Sequence, residues 1–118
     1  MRYMLLIYGA EDAIGDSERD HCYEESTQLT HDLNADGKYI TAAPLHSVST
    51  ATSVRIREGK TLVTDGPFAE TKEQLGGFYM VEANDLDDAI RIAERVPPAR
   101  WGTVEIRPVV ELPNLPQE

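Results

Sequence analysis

Twice along this chain a strand-like apolar run leads into a helical stripe and then into a second strand-like run, and no other feature restricts the fold so tightly. The first run is Tyr3-Met4-Leu5-Leu6-Ile7-Tyr8, almost unbroken apolar sequence of the kind carried by a strand covered on both faces. A polar, glycine-bearing stretch over residues 9–16 follows. Ser17 then stands where a helix cap belongs, with Glu18 and Asp20 in a first turn whose dipole favours acids. Cys22, Ser26, Leu29, Thr30 and Leu33 recur at three- and four-residue steps as one modest stripe, and Asp36-Gly37 supplies the stop. Residues 38–45 return to extended character and end near Pro44. The second unit opens with a strand over 78–83. Asn84 and Asp85 offer caps to a helix striped by Leu86, Ala89, Ile90, Ala93 and Val96, which Pro97-Pro98 ends. Residues 103–110 read as the last strand, and the tail over 112–116 as loosely held.

Between the two units, Thr50, Thr52, Val54 and Ile56 alternate with Ala51, Ser53, Arg55 and Arg57, the period of a strand with one wet face. Glu58-Gly59 makes a tight turn into Thr61-Leu62-Val63-Thr64, so residues 50–64 read as a β-hairpin. The whole order predicts an α+β, ferredoxin-like βαββαβ fold with an inserted β-hairpin, in one domain over 1–118, with both helices on one sheet face. The opposite face is then bare, although the first strand is apolar on both sides. A copy of the same sheet is the simplest cover, so a homodimer is expected, with clefts between sheet, hairpin and partner.

Composition narrows the partners. Twenty-one acidic residues against eleven basic ones give a formal net charge of -10. Phosphate neutralisation needs clustered Lys and Arg, so nucleic acid is not an expected partner, and the same sign disfavours an anionic membrane surface. The single cysteine, Cys22, excludes an intrachain disulfide and a thiolate zinc site. It falls on the first helical stripe, a place for a packed thiol rather than a nucleophile. A free thiol suits a reducing compartment, and no run has signal or transmembrane character, so a cytoplasmic location is expected. The three histidines are too dispersed for a metal site. Neither a phosphate-binding glycine loop nor a nucleophile elbow is present, and no cofactor is expected.

The densest chemistry lies in one connection, Asp65-Gly66-Pro67-Phe68-Ala69-Glu70-Thr71-Lys72-Glu73-Gln74-Leu75-Gly76-Gly77, which carries three carboxylates, a lysine, a Gly-Pro bend and a double glycine. With Leu62-Val63-Thr64 before it and Phe78-Tyr79 after it, this segment resembles the signature of the DGPF subgroup of the YCII-related family. Arg2-Tyr3-Met4-Leu5-Leu6-Ile7-Tyr8, Thr50-Ala51-Thr52-Ser53-Val54-Arg55 and Val104-Glu105-Ile106-Arg107-Pro108 are similar to other segments of that family. The resemblance implies a dimeric α+β barrel of ferredoxin-like protomers. It also implies an association, in some relatives, with extracytoplasmic-function sigma factors, so a non-catalytic interaction or sensing module is the alternative to an enzyme. Wider relatives have been suggested to use a His on the first helix and an Asp after the second strand. An alignment anchored on Asp36-Gly37 puts Ser26 at the first place, with His21 and His31 about a turn away on either side. The segment after Pro44 supplies His46 instead of the Asp. That dyad does not carry over.

Each candidate has a functional and a structural reading. Asp65, at a strand end before Gly66-Pro67, is a general base or cation-binding group in a cleft, or an Asx-type turn residue that accepts backbone N–H groups. His46 is the histidine best placed for proton transfer, which suits the imidazole side chain as a type, or simply an exposed loop side chain. Phe68 is a core or pocket-wall anchor. Gly66 lets backbone approach a ligand closely. Lys72 is placed to hold an anion while Glu70 or Glu73 titrates beside it, or all three are solvated surface charges. Thr71 and Gln74 suit a capping box opening one helical turn, and Gly76-Gly77 a bulge. Arg55 shares a strand face with Arg57, so the pair either clamps a carboxylate or joins acidic neighbours across strands. The reading that joins these residues is a cleft binding a small polar or anionic molecule, with cofactor-independent acid–base chemistry by Asp65 and His46.

Overall fold

The computed structural model describes residues 1–116. Strands β1 (Arg2–Gly9), β2 (Tyr39–Pro44), β5 (Gln74–Glu82) and β6 (Thr103–Pro108) form one antiparallel sheet in the order β2-β5-β1-β6, and β3 (Thr52–Arg57) and β4 (Lys60–Asp65) form a separate hairpin. Helices α1 (Asp16–Ala35) and α2 (Leu86–Glu94) provide the crossovers. This is the expected ferredoxin-like α+β fold with an inserted hairpin, the protomer architecture of dimeric α+β barrels.

Local sequence accounts for most boundaries. The cap of α1 is Gly15 rather than Ser17, and Glu18 reaches back to accept the Gly15 N–H at 3.3 Å. Asp85 caps α2 by accepting the Asp88 N–H at 2.8 Å. The hairpin turns at Glu58 and Gly59, both with positive φ (51° and 75°), as a two-residue loop matched to strand twist requires. β5 starts at Gln74, earlier than the expected strand, because Gly76 is taken up as a bulge: Ile7 pairs with Gly77 and Tyr8 with Leu75.

The core lies between the sheet and the two helices. Leu5, Leu33, Val81, Ile92 and Val96 are fully buried there, with Tyr3, Leu29, Tyr79 and Ala89 around them. The expected α2 stripe holds at Ala89, Ala93 and Val96, which face inward. Leu86 and Ile90 are exposed, and Ile92 is buried in their place. Asp88, on the same helix, is buried and accepts from Lys38 Nζ at 3.0 Å and the Asn84 N–H at 2.9 Å. The hairpin departs from expectation too. Neither of its faces is buried, so it has two wet faces rather than one.

Candidate functional site

Part of the space between α1 and the sheet is not filled. Leu29 and Leu33 of α1 enter the core, but along the middle of the same helix Cys22, Ser26, Thr27 and Thr30, all short or hydroxyl side chains, line the open part. The facing strands are equally small, with Ala42 and Ala43 on β2 and Gly77 on β5. Small residues on both walls leave a cavity of about 710 Å³, open at one side. A side chain at Gly77 would stand 3.0 Å from the Ala43 carbonyl oxygen and 3.2 Å from Pro44 Cα, so glycine keeps both the β2 contact and the space. Trp101, at the end of the Pro97–Arg100 turn, lays its ring directly against Gly9 and walls off one end.

Polar groups are few and specifically placed. Deep in the cavity, the Tyr79 hydroxyl donates to the Ser26 carbonyl at 3.0 Å, and burial raises the phenol's pKa. Burial likewise pushes the Cys22 thiol up, so Cys22 is a neutral wall group and not an activated nucleophile. At the mouth, Glu11 accepts from Ser47 Oγ at 2.8 Å and the Val48 N–H at 2.9 Å, which ties the β1–α1 loop to the segment after β2. Arg19, which lines the cavity, donates to the Glu11 carbonyl at 3.0 Å and to Asp16 at 2.9 Å. His46 lines it as well, from the segment after Pro44.

The sequence-derived candidates separate into two places. His46 lines the cavity, and so does Ser26, so the two positions aligned with the suggested family dyad share one cavity although neither carries the dyad's residue type. From the Asp65–Gly77 connection, only Gln74, Gly76 and Gly77 reach it. Asp65, Gly66, Pro67, Phe68, Glu70, Lys72, Glu73 and Arg55 lie outside its lining. Asp65 is exposed and accepts no backbone N–H, so the Asx reading fails. The bend is held instead by the Gly66 N–H on the Ala51 carbonyl at 2.7 Å and by Ser53 Oγ on the Gly66 carbonyl at 2.8 Å. Phe68 is 77% exposed rather than a core or wall anchor, and its ring lies under the Arg55 guanidinium at 4.8 Å. Arg55 and Arg57 face Leu62 and Lys60 across the ladder, not acids. Residues 71–73 form no helical turn: Thr71 donates to the Glu73 carbonyl and Gln74 Nε2 to the Thr71 carbonyl. Glu73 accepts from Thr103 Oγ1 at 3.1 Å.

Among the cavity residues not singled out as site candidates from the sequence are Glu11, Arg19, Tyr39, Tyr79 and Trp101. Arg19 had a signal, since it lies three and seven residues before Cys22 and Ser26 and so shares their helix face. Among the described residues, no group of three or more His, Cys, Asp or Glu side chains is placed to hold a metal, and no helix is long and apolar enough to cross a membrane.

Comparison with known proteins adds a lineage to this geometry. The model of the YCII-related domain matches residues 1–113. The chain belongs to that family. An uncharacterised protein of Rhizobium meliloti (strain 1021) is 36% identical to this YCII-related domain, over 97% of this chain and all of that one. Among solved structures, it resembles the 5-chloro-2-hydroxyhydroquinone dehydrochlorinase TftG of Burkholderia phenoliruptrix AC1100, in complex with 2,5-dihydroxybenzoquinone. The TM-score is 0.56 at 14% identity, over 93% of this chain and 94% of that one. At that identity the likeness establishes a shared fold.

Proposed function

We propose that this YCII-related domain binds a small organic molecule in the α1–β2–β5 cavity, and that His46 exchanges a proton with it at the mouth. The observation that carries the reading is the cavity itself. Its volume of about 710 Å³ suits a compact ligand, and its walls combine apolar surface with a few converging polar groups, as small-molecule sites do. Arg19 and His46 both line the cavity and suit a ligand with an anionic or enolic oxygen, while Trp101, Tyr39 and the Gly-Ala wall suit a flat body. The quinone held by TftG is a ligand of that type. His46 is exposed, which lets it pass a proton to solvent. An acid–base reaction without a cofactor is the chemistry these groups support, and the free Cys22 accords with a cytoplasmic setting.

The protein in this reading is a homodimer. The sheet face away from the helices carries Met4, Leu6, Phe78 and Met80 side by side on the two central strands, all half-buried with no second layer over them. A second sheet is the natural cover. In such a dimer Asp65, Glu70 and Lys72, which lie outside the cavity of their own chain, remain available to a ligand or to the partner.

A thermal-shift screen of small hydroxyaromatic acids and quinones, with 2,5-dihydroxybenzoquinone included, tests the reading. A binder whose stabilisation falls at least tenfold in apparent affinity in His46→Gln and in Arg19→Gln, but not in Asp65→Asn, supports the cavity. A binder that responds only to Asp65→Asn moves the site to the connection. An absence of binders, with a basic protein partner co-purifying, supports the interaction-module alternative.

A further inference from the structure

We propose that the β3–β4 hairpin is an arm that docks on a second copy of this chain. The inference rests on the homodimer reading and adds to it a contact that the sheet face alone does not supply. The hairpin belongs to no larger sheet: β3 and β4 pair with each other, and the four-stranded sheet closes without them. Among the described residues, no hydrogen bond or ion pair joins residues 54–63 to either helix or to the main sheet. The Cα radius of gyration is 16.0 Å, against about 13.5 Å for a compact chain of this length. An isolated two-stranded hairpin is marginal in water and needs a third layer or strand.

The register makes the arm two-faced. Val54 stands opposite Val63, with Ile56 beside them, so three β-branched apolar side chains share one face. Their exposures are 63%, 64% and 67%. Arg55, Arg57 and Lys60 stand on the other face. Phe68 lies under the Arg55 guanidinium, on the other face, the Gly66 and Ser53 hydrogen bonds stiffen the base of the arm, and the Val54–Val63 face stays exposed. An apolar face held out on a rigid base is built to meet a partner.

Charge selects the partner. Of the whole chain's eleven bases and twenty-one acids, the hairpin over residues 52–65 holds three bases and two acids. The remainder therefore has eight bases against nineteen acids. The arm carries a net charge of +1 and the rest of the chain -11, with Asp16, Glu18, Asp20, Glu24 and Asp32 on α1 alone. A second copy offers the acidic surface that the arm's basic face complements, and its two unpaired edges are protected once docked.

Mixing unlabelled and ¹⁵N-labelled protein, then coupling amines to nearby carboxylates with a carbodiimide, tests the contact. Docking predicts Lys60 cross-links in mixed-isotope pairs. It also predicts at least a tenfold weaker dimer by sedimentation in the triple variant Val54→Thr, Ile56→Thr, Val63→Thr, which keeps β-branched residues throughout. A dimer with no interchain Lys60 links, unchanged by the triple variant, overturns the arm and leaves the sheet interface standing. Lys60 links confined to one chain mean that the arm folds back, and also overturn it. A monomer at all concentrations removes both readings.

Discussion

Replacing Asp88 by Asn tests how α2 is held to the sheet. The Asp88 carboxylate is buried and accepts three contacts: Lys38 Nζ at 3.0 Å, the Asn84 N–H at 2.9 Å and, more distantly, Arg91 at 3.9 Å. The Asn84 N–H and the Lys38 ammonium hold its pKa below the ordinary carboxylate value. An amide has one acceptor oxygen and turns its NH₂ toward the other donor, so one charge-assisted bond is lost and the second weakens. Losing a bond to a charged group costs about 1.5–3 kcal/mol. The second contribution is small, because Lys38 is about a third exposed and recovers hydration. The expected destabilisation at pH 7 is about 2–3 kcal/mol, a fall in urea midpoint of roughly 1.3–2 M for a slope of about 1.5 kcal/mol/M.

The pH dependence has a definite sign. A carboxylate with a depressed folded pKa contributes stability above its unfolded value of about 3.9, and that contribution is lost as pH falls through the folded value. Protonated Asp88 resembles the amide, so the gap between wild type and Asp88→Asn should begin to narrow below about pH 4 and close as pH falls through the lowered folded value. Urea titrations at pH 7 and at pH 3 measure both ends. A gap under about 0.5 kcal/mol at pH 7, or one of the same size at pH 3, would refute the assignment.

Other perturbations address the cavity. Gly77→Val places branches against Ala43 and Pro44 and into the open space, so it should cost about 1–3 kcal/mol and remove any thermal shift by a cavity ligand. Leu33→Ala, at a fully buried site, should cost about 2–5 kcal/mol without changing the ligand's position. Because burial raises the Cys22 thiol, a thiol reagent at pH 8 should label native protein far more slowly than urea-unfolded protein. Equal rates would mean the cavity wall is open to solvent. Asp65→Asn should leave the urea midpoint within error, since no hydrogen bond depends on that side chain.

Periodicity made the layer order legible. The run at residues 3–8, the stripe from Cys22 to Leu33 and the caps at Asp85 and Asp36-Gly37 all act locally, and local signals survive without a tertiary context. Two positions of the α2 row were misjudged for an equally physical reason. Leu86 and Ile90 match a helical step as well as the buried Ala89 and Ala93 do, and tertiary contacts such as that of Asp88 with Lys38, fifty residues away, leave no trace in local spacing. The site was half legible. His46 followed from its place after Pro44, but the cavity is a difference of volumes between Ser26 and Thr30 on one wall and Ala42 and Gly77 on the other. No spacing rule in one dimension records such a mismatch. The connection at residues 65–73 drew notice by its chemistry, although none of its residues lines that hollow.

The bulge at Gly76 and the short residues beside it have a further consequence. Ser26 and Thr27 stand on α1 and Gly77 on β5, elements that Leu33 and Val81 fix in the core, and Ala42 stands on β2, which pairs with β5. Exchanging Ser26, Thr27 or Ala42 therefore re-cuts the receptacle while the scaffold beneath keeps its shape, so a lineage carrying this fold can change its chemical appetite by single steps.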